Sequence, residues 1–187
     1  MPIPPPSHAT RVFHGVMHDT WQWEQELFDG SRKTFECTTR LDTAAVIGFL
    51  DAHTLLLTTQ EQSGRAAFID VPGGRVESGE TAEEAARREL LEETGYDAGV
   101  LHTFRSLSLQ GSIRFIKTVC LAKNLTLAAA GNNPDAGERI ALRPTSWDDA
   151  VRMCLRHELR SQDAMLAILA LEFDPEARAI KERFLAS

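Results

Sequence analysis

The sequence predicts an α/β fold in which a mixed β-sheet is covered by helices, with an antiparallel β extension ahead of it. Three observations carry that prediction. Period-2 apolar runs joined by hairpin signals occupy the first third of the chain. One long run of strong helix formers opens at Thr81 and stops at Gly95. Two further β-rich runs are then followed by three short helical segments, the interleaving expected of a sheet with helices packed on it.

The elements follow in chain order. Prolines at 2, 4, 5 and 6 predict an extended, disordered tail over residues 1–10. Residues 11–40 form the β extension, with strands near Val12–Met17, Thr20–Phe28 and Lys33–Thr39. Trp21 and Trp23 share one side of the second of these, and Asp29-Gly30 marks a hairpin. Ala44–Leu50 and Leu55–Thr59 make another hairpin across Asp51–Thr54. Pro72-Gly73-Gly74 and Ser78-Gly79 mark a loop. Thr81 and Glu84 have the spacing of a capping box, and Gly95 stands where a left-handed cap ends the helix. Leu101–Leu109 and Ile113–Ala122 read as strands, Asn124–Glu138 as a polar loop, and Arg139–Leu142 as a short strand. A helix from Ser146 to about His157, another over Gln162–Phe173 and a third opened by Asp174-Pro175 complete the chain.

A length of 187 residues suits one compact domain with a sizeable core, here residues 41–187 after the extension. With 20 basic and 27 acidic side chains the net charge is −7, the wrong sign for binding nucleic acid through its phosphates. Such a chain needs divalent cations if it is to handle a phosphorylated substrate. Three scattered cysteines form no Cys-x-x-Cys pair, so free buried thiols in a reducing cytosol are expected rather than disulfides or zinc. The first residues lack a signal-peptide pattern, and the longest apolar stretch, Ala164–Leu171, is too short for a membrane span. A soluble cytoplasmic protein without membrane partners is the expectation.

The chemistry concentrates in the segment from Gly74 to Tyr96. On a helix advancing roughly 100° per residue, Glu89, Glu92 and Glu93 fall within an arc of about 100°. Three carboxylates then face one place, and their mutual repulsion is relieved when cations enter. Hard oxygen donors without nearby histidine or thiolate favour Mg²⁺, with Mn²⁺ as a substitute, over zinc. Arg88 lies four residues from both Glu84 and Glu92 and is placed to hold a carboxylate.

The same segment fills every fixed position of the pattern Gly-x5-Glu-x7-Arg-Glu-U-x-Glu-Glu-x-Gly-U, where U is bulky and apolar, through Gly74, Glu80, Arg88, Glu89, Glu92, Glu93 and Gly95. At average residue frequencies a chance match is expected about once in 10⁶ chains of this size. The sequence therefore resembles the Nudix hydrolases, over roughly Leu41 to Phe173, with Tyr96 a mild departure at the last apolar position. The resemblance implies an α/β/α sandwich with a mixed sheet, and divalent-metal-dependent hydrolysis of a nucleoside diphosphate linked to another moiety. It implies Glu89 and Glu93 as main metal ligands, with Glu92 and the Gly73 carbonyl as further ones. Arg88 orients the carboxylates, and Glu80 supports the junction of loop and helix. Metals then neutralise the pyrophosphate and acidify a water for in-line attack.

Outside the box the chain is similar to the ADP-ribose and nucleoside-diphosphate-sugar pyrophosphatase branch. That likeness implies a homodimer built on the extension, with Arg32 carried toward the partner's site. It also implies a general base from the loop after the last long strand, where Glu138 is the nearest match, Asp135 the second and a box glutamate a third choice. Trp21 and Trp23 are candidates to stack a nucleobase, although two tryptophans on one face of a strand are more often core or dimer interface. Arg65 is a candidate phosphate ligand because Gln62 stands where the branch has arginine. Ser108-Leu-Gln-Gly111 lacks the proline and acid of the ADP-ribose enzymes, which weakens that specificity. The leading expectation is Mg²⁺-dependent cleavage of ADP-ribose or a nucleotide sugar to a nucleoside monophosphate and a sugar phosphate. The alternatives are a pyrophosphohydrolase of normal or damaged nucleoside triphosphates and a non-catalytic nucleotide sensor.

Overall fold

The computed structural model describes residues 4–129, 131–133 and 137–187. Among these, ten strands form one mixed sheet and four helices cover it. The extension is a three-stranded antiparallel meander of β1 (Thr10–His14), β2 (His18–Glu26) and β3 (Arg32–Arg40). The first strand ends at His14, earlier than the sequence suggests, because Gly15 closes a turn in which its N–H donates to the His18 carbonyl at 3.0 Å. Gly30, at a φ of 81°, turns β2 into β3 as the Asp-Gly pair predicts. In the segment before β1, the Pro4 carbonyl accepts from Arg114 Nη1 at 2.7 Å.

β4 (Thr43–Asp51) and β5 (Thr54–Gln62) form the central hairpin; a short strand β6 (Phe68–Asp70) follows in a segment with no sequence assignment, and β7 (Gly73–Arg75) lies within the stretch read as loop. Helix α1 (Ala82–Thr94) follows, then β8 (Tyr96–Gln110), β9 (Ile113–Leu127) and β10 (Glu138–Ser146). The chain ends in α2 (Trp147–Leu155), α3 (Gln162–Phe173) and α4 (Pro175–Ala186). The spatial order is β1-β2-β3-β9-β4-β5-β10, with β8 paired to β9. β9 runs parallel to both β4 and β3, so it joins the extension to the main sheet.

Several strands, β8, β9 and β10 among them, are longer than the sequence suggests. β9 continues five residues beyond Ala122 because Asn124 takes a left-handed φ of 53° opposite Gly99, and pairing resumes at Leu125 with Ala98. Asparagine tolerates that conformation and creates an irregularity inside a strand, not a loop. β8 begins directly after α1 for the same reason, since its first residues pair with the far end of β9. β10 runs on through Pro144 because it is the edge of the sheet, where a missing N–H costs no ladder bond.

Strand alternation divides the core. Ala44, Val46 and Leu56 pack with Ala85, Ala86 and Leu90 of α1, whereas Ile47, Phe49, Leu55 and Leu57 pack with residues of α2, α3 and α4. The sheet is thus buried on both faces, giving three layers. Two alanines on the inner side of α1 let that helix lie close to the sheet, which fixes where its acidic side chains emerge.

Candidate active site

The start of α1 is set by the capping box. Thr81 Oγ1 accepts from the Glu84 N–H at 3.2 Å, and Glu84 Oε2 accepts from the Thr81 N–H at 2.7 Å. At the other end Gly95 adopts a φ of 75° and donates to the Leu91 carbonyl at 2.8 Å. Between these stops the helix buries Leu90 and, one turn on, Glu93.

Glu93 is only 6% exposed. Its Oε2 accepts from the Gly73 N–H at 3.1 Å and from Gln60 Nε2 at 3.3 Å. Burial pushes its carboxyl up to about 9, and the charges of Glu89, Glu138 and Asp70 add to the rise against the Gly73 hydrogen bond. Without a cation, Glu93 is therefore neutral at pH 7.

Arg88 organises the other carboxylates. Its Nε and Nη2 grip both oxygens of Glu80 at 2.8 and 3.1 Å, the bidentate geometry that suits a guanidinium. Nη1 donates to Glu89 at 2.9 Å and to Glu92 at 3.0 Å, and Nη2 also reaches the Arg75 carbonyl at 2.9 Å. The bond to Arg88, helped by the Glu77 N–H, holds Glu80 down at about 2. Arg88 is itself raised, first by Glu80 and then by Glu89 and Glu92. A side chain on Gly74 would displace the Glu89 carboxylate from this position.

These groups open on a cavity of about 210 Å³. Glu77, Glu89, Glu92, Glu93 and Glu138 line it together with the guanidiniums of Arg75 and Arg88. Five carboxylates with no thiolate or imidazole form a donor set suited to a hard divalent cation. Among the described residues, however, no three His, Cys, Asp or Glu side chains converge closely enough to hold a metal ion. The helix spacing brings the carboxylates to one cavity as expected, but Arg88 engages Glu89 and Glu92 while Gly73 and Gln60 engage Glu93. Cation entry requires these acids to exchange part of those contacts.

Glu138 begins β10 and stands on the cavity wall, its Oε1 accepting from Gln62 Nε2 at 2.8 Å. Arg65 donates to Gln62 Oε1 at 3.1 Å, so Arg65, Gln62 and Glu138 form one chain along an adjoining cleft of about 400 Å³. Asp135 lies outside the described residues. Trp21, Trp23 and Arg32 do not line the acidic cavity. Trp21 Nε1 donates to Thr39 Oγ1 at 3.0 Å, Trp23 is buried against Phe35 and beneath Arg114, and Arg32 starts β3 at the surface. Arg75 and Glu77, both on the cavity, occupy unspecified positions of the box, and nothing in the pattern singles them out. The contact of Gln60 with Glu93 joins residues 33 positions apart, from β5 to α1.

A family model, the NUDIX domain, matches residues 39–174. The ADP-ribose pyrophosphatase of Bacillus subtilis is 25% identical over 173 residues, covering 91% of this chain and 94% of its own length. The oxidized purine nucleoside triphosphate hydrolase of Mus musculus is 36% identical over 73 residues, 39% of this chain and 46% of that protein. A solved structure of an ADP compounds hydrolase superposes with a TM-score of 0.75 at 19% identity, covering 89% of this chain and 90% of that one.

Proposed function

The chain belongs to the Nudix family and is a hydrolase of phosphoric anhydrides, and from that premise we propose that its substrate is ADP-ribose or a related nucleoside diphosphate linked to a sugar. The reaction is cleavage of the pyrophosphate, with water attacking one phosphorus and the bridging P–O bond breaking. A nucleoside monophosphate and a sugar phosphate leave. The single observation that carries this reading is likeness to an ADP-ribose pyrophosphatase along 94% of that protein's length, with the acidic helix and its arginine clamp complete.

In this reading Glu89, Glu92 and Glu93, with the Gly73 carbonyl, hold Mg²⁺, which Mn²⁺ replaces. The cation supplies charge neutralisation for the pyrophosphate and acidification of a water near neutral pH. Arg88 keeps Glu89 and Glu92 within reach of one another, and Glu80 keeps Arg88 in place. Glu138 takes the proton of the attacking water, positioned for this by Gln62. Arg65 contacts a substrate phosphate in the adjoining cleft.

Residues 11–40 form a homodimer interface in this reading, ahead of the catalytic domain over 41–187. Val12, Phe13, Phe28 and Phe35 are exposed apolar side chains of that segment, an unusual concentration for three strands with no partner. Arg32, at the start of β3, then acts at the partner's site, whereas Trp23, buried against Phe35, packs within the extension. A second reading, hydrolysis of oxidised purine nucleoside triphosphates, is favoured by the mouse relative over less than half of each chain. The two separate in a panel of ADP-ribose, nucleotide sugars, dinucleotides and triphosphates incubated with Mg²⁺. The first predicts monophosphate products from the sugar-linked diphosphates, the second pyrophosphate from the triphosphates.

A further inference from the structure

Two guanidiniums line the acidic cavity, and they differ in how they are engaged. Arg88 bonds to three carboxylates and a carbonyl. Arg75 has no carboxylate partner among the described residues, although acids line the same cavity. Its side-chain contact is with a thioether, Nη1 to Met17 Sδ at 3.5 Å. Met17 stands in the turn between β1 and β2, outside the matched family region, and is half exposed.

The backbone of Arg75 is fixed from two sides. It pairs with Thr43 in the ladder of β7 and β4, and its carbonyl accepts from Arg88. A fixed backbone with a charge-bearing side chain at a cavity mouth is an arrangement for an incoming anion. The thioether is a weak acceptor that restrains the guanidinium without neutralising it. A carboxylate in its place would form a permanent ion pair and cancel the charge.

We propose that Arg75 binds a phosphate group of the substrate and that Met17, reaching over from the N-terminal extension of the same chain, is its positioning residue. This rests on the pyrophosphatase reading given above. The planar fork of Arg75 matches two phosphate oxygens, whereas the carboxylates of α1 face the cation. The extension then acts on its own subunit's site as well as in any dimer.

The test is calorimetric titration of the full-length protein with inorganic pyrophosphate in Mg²⁺, alongside steady-state kinetics on ADP-ribose. Losing one charge-assisted contact to phosphate weakens binding about 10- to 100-fold. Arg75→Gln should show that loss, with KM for ADP-ribose rising by a similar factor and kcat changing less, and Arg75→Lys should recover part of it. Met17→Leu, which keeps the bulk but has no sulfur to accept from Nη1, should weaken pyrophosphate binding by a smaller factor, and should have no further effect when added to Arg75→Gln. Affinity of Arg75→Gln within twofold of the unmodified protein overturns the proposal, as does unchanged affinity in Met17→Leu or a Met17→Leu loss that persists undiminished in the Arg75→Gln background, which marks a purely structural contact. Absence of pyrophosphate binding to the unmodified protein also overturns it. If binding depends on Arg75 but no sugar-linked nucleoside diphosphate is hydrolysed, the phosphate assignment stands and the substrate reading fails.

Discussion

Replacing Glu93 by glutamine in the metal-free protein isolates the electrostatic cost of placing a carboxyl behind the acidic cavity. Glutamine keeps the size of the side chain and an oxygen for the Gly73 N–H, and it removes the titration. In the folded protein the Glu93 carboxyl ionises at about 9 instead of an ordinary 4.5. Below pH 4.5 it is protonated in both the folded and unfolded states and has no effect on their balance. Between 4.5 and 9 the unfolded chain releases the proton while the folded one retains it, so folding stability falls as pH rises. At about 1.4 kcal/mol for each pH unit in that window, the full loss is about 6 kcal/mol above pH 9 and about 4 kcal/mol near pH 7.5. Against a typical domain stability of about 5–15 kcal/mol this is a large effect. The assay is urea unfolding in EDTA from pH 5 to pH 9. Glu93→Gln should match the unmodified protein at the acidic end and become progressively more stable than it toward the alkaline end. With saturating Mg²⁺ the order should reverse, because only the intact carboxylate gains from binding. A stability difference that stays constant across this pH range rules out a raised Glu93 carboxyl as its source.

Glu138→Gln should lower kcat by about 10²-fold or more with KM little changed; an unaltered rate moves the general base to Asp135 or a box glutamate. Gly73→Ala places a methyl 2.5 Å from the Ala44 carbonyl oxygen and 2.8 Å from Ala45 Cα. Both are backbone atoms of a central strand, so thermal unfolding should report a loss of about 1–3 kcal/mol, and an unchanged midpoint contradicts the close approach. Removing residues 1–40 should give monomers of low activity by light scattering and kinetics. A truncated dimer with normal turnover excludes the extension from both roles.

Much of the fold was legible because local signals and global packing agree. The capping box at Thr81 and Glu84, the Gly95 stop and the Asp29-Gly30 hairpin appear where the pattern puts them. The nearly continuous apolar run Ala44–Leu50 reports a strand, and its lack of polar residues fits burial on both faces. What escaped depends on partners distant in the chain. Asn124 reads as a loop residue until Gly99 is found opposite it, and Pro144 ends a strand unless that strand lies at the edge. At the site, helical spacing brings Glu89, Glu92 and Glu93 to one cavity. It does not reveal that Arg88 grips Glu80 with both nitrogens, that Gln60 reaches Glu93, or that Met17 meets Arg75. Those contacts span 8, 33 and 58 residues and exist only once the sheet is assembled.

Metal-dependent hydrolysis of a sugar-linked diphosphate is tested by incubating the protein with ADP-ribose and Mg²⁺ in ¹⁸O-labelled water and analysing the products by mass spectrometry. AMP and ribose 5-phosphate are expected in equal amounts, with the label in the phosphate of one of them, and no products are expected in EDTA or from Glu93→Gln. Equal yields in EDTA, or no cleavage of ADP-ribose alongside turnover of nucleoside triphosphates, would contradict that assignment.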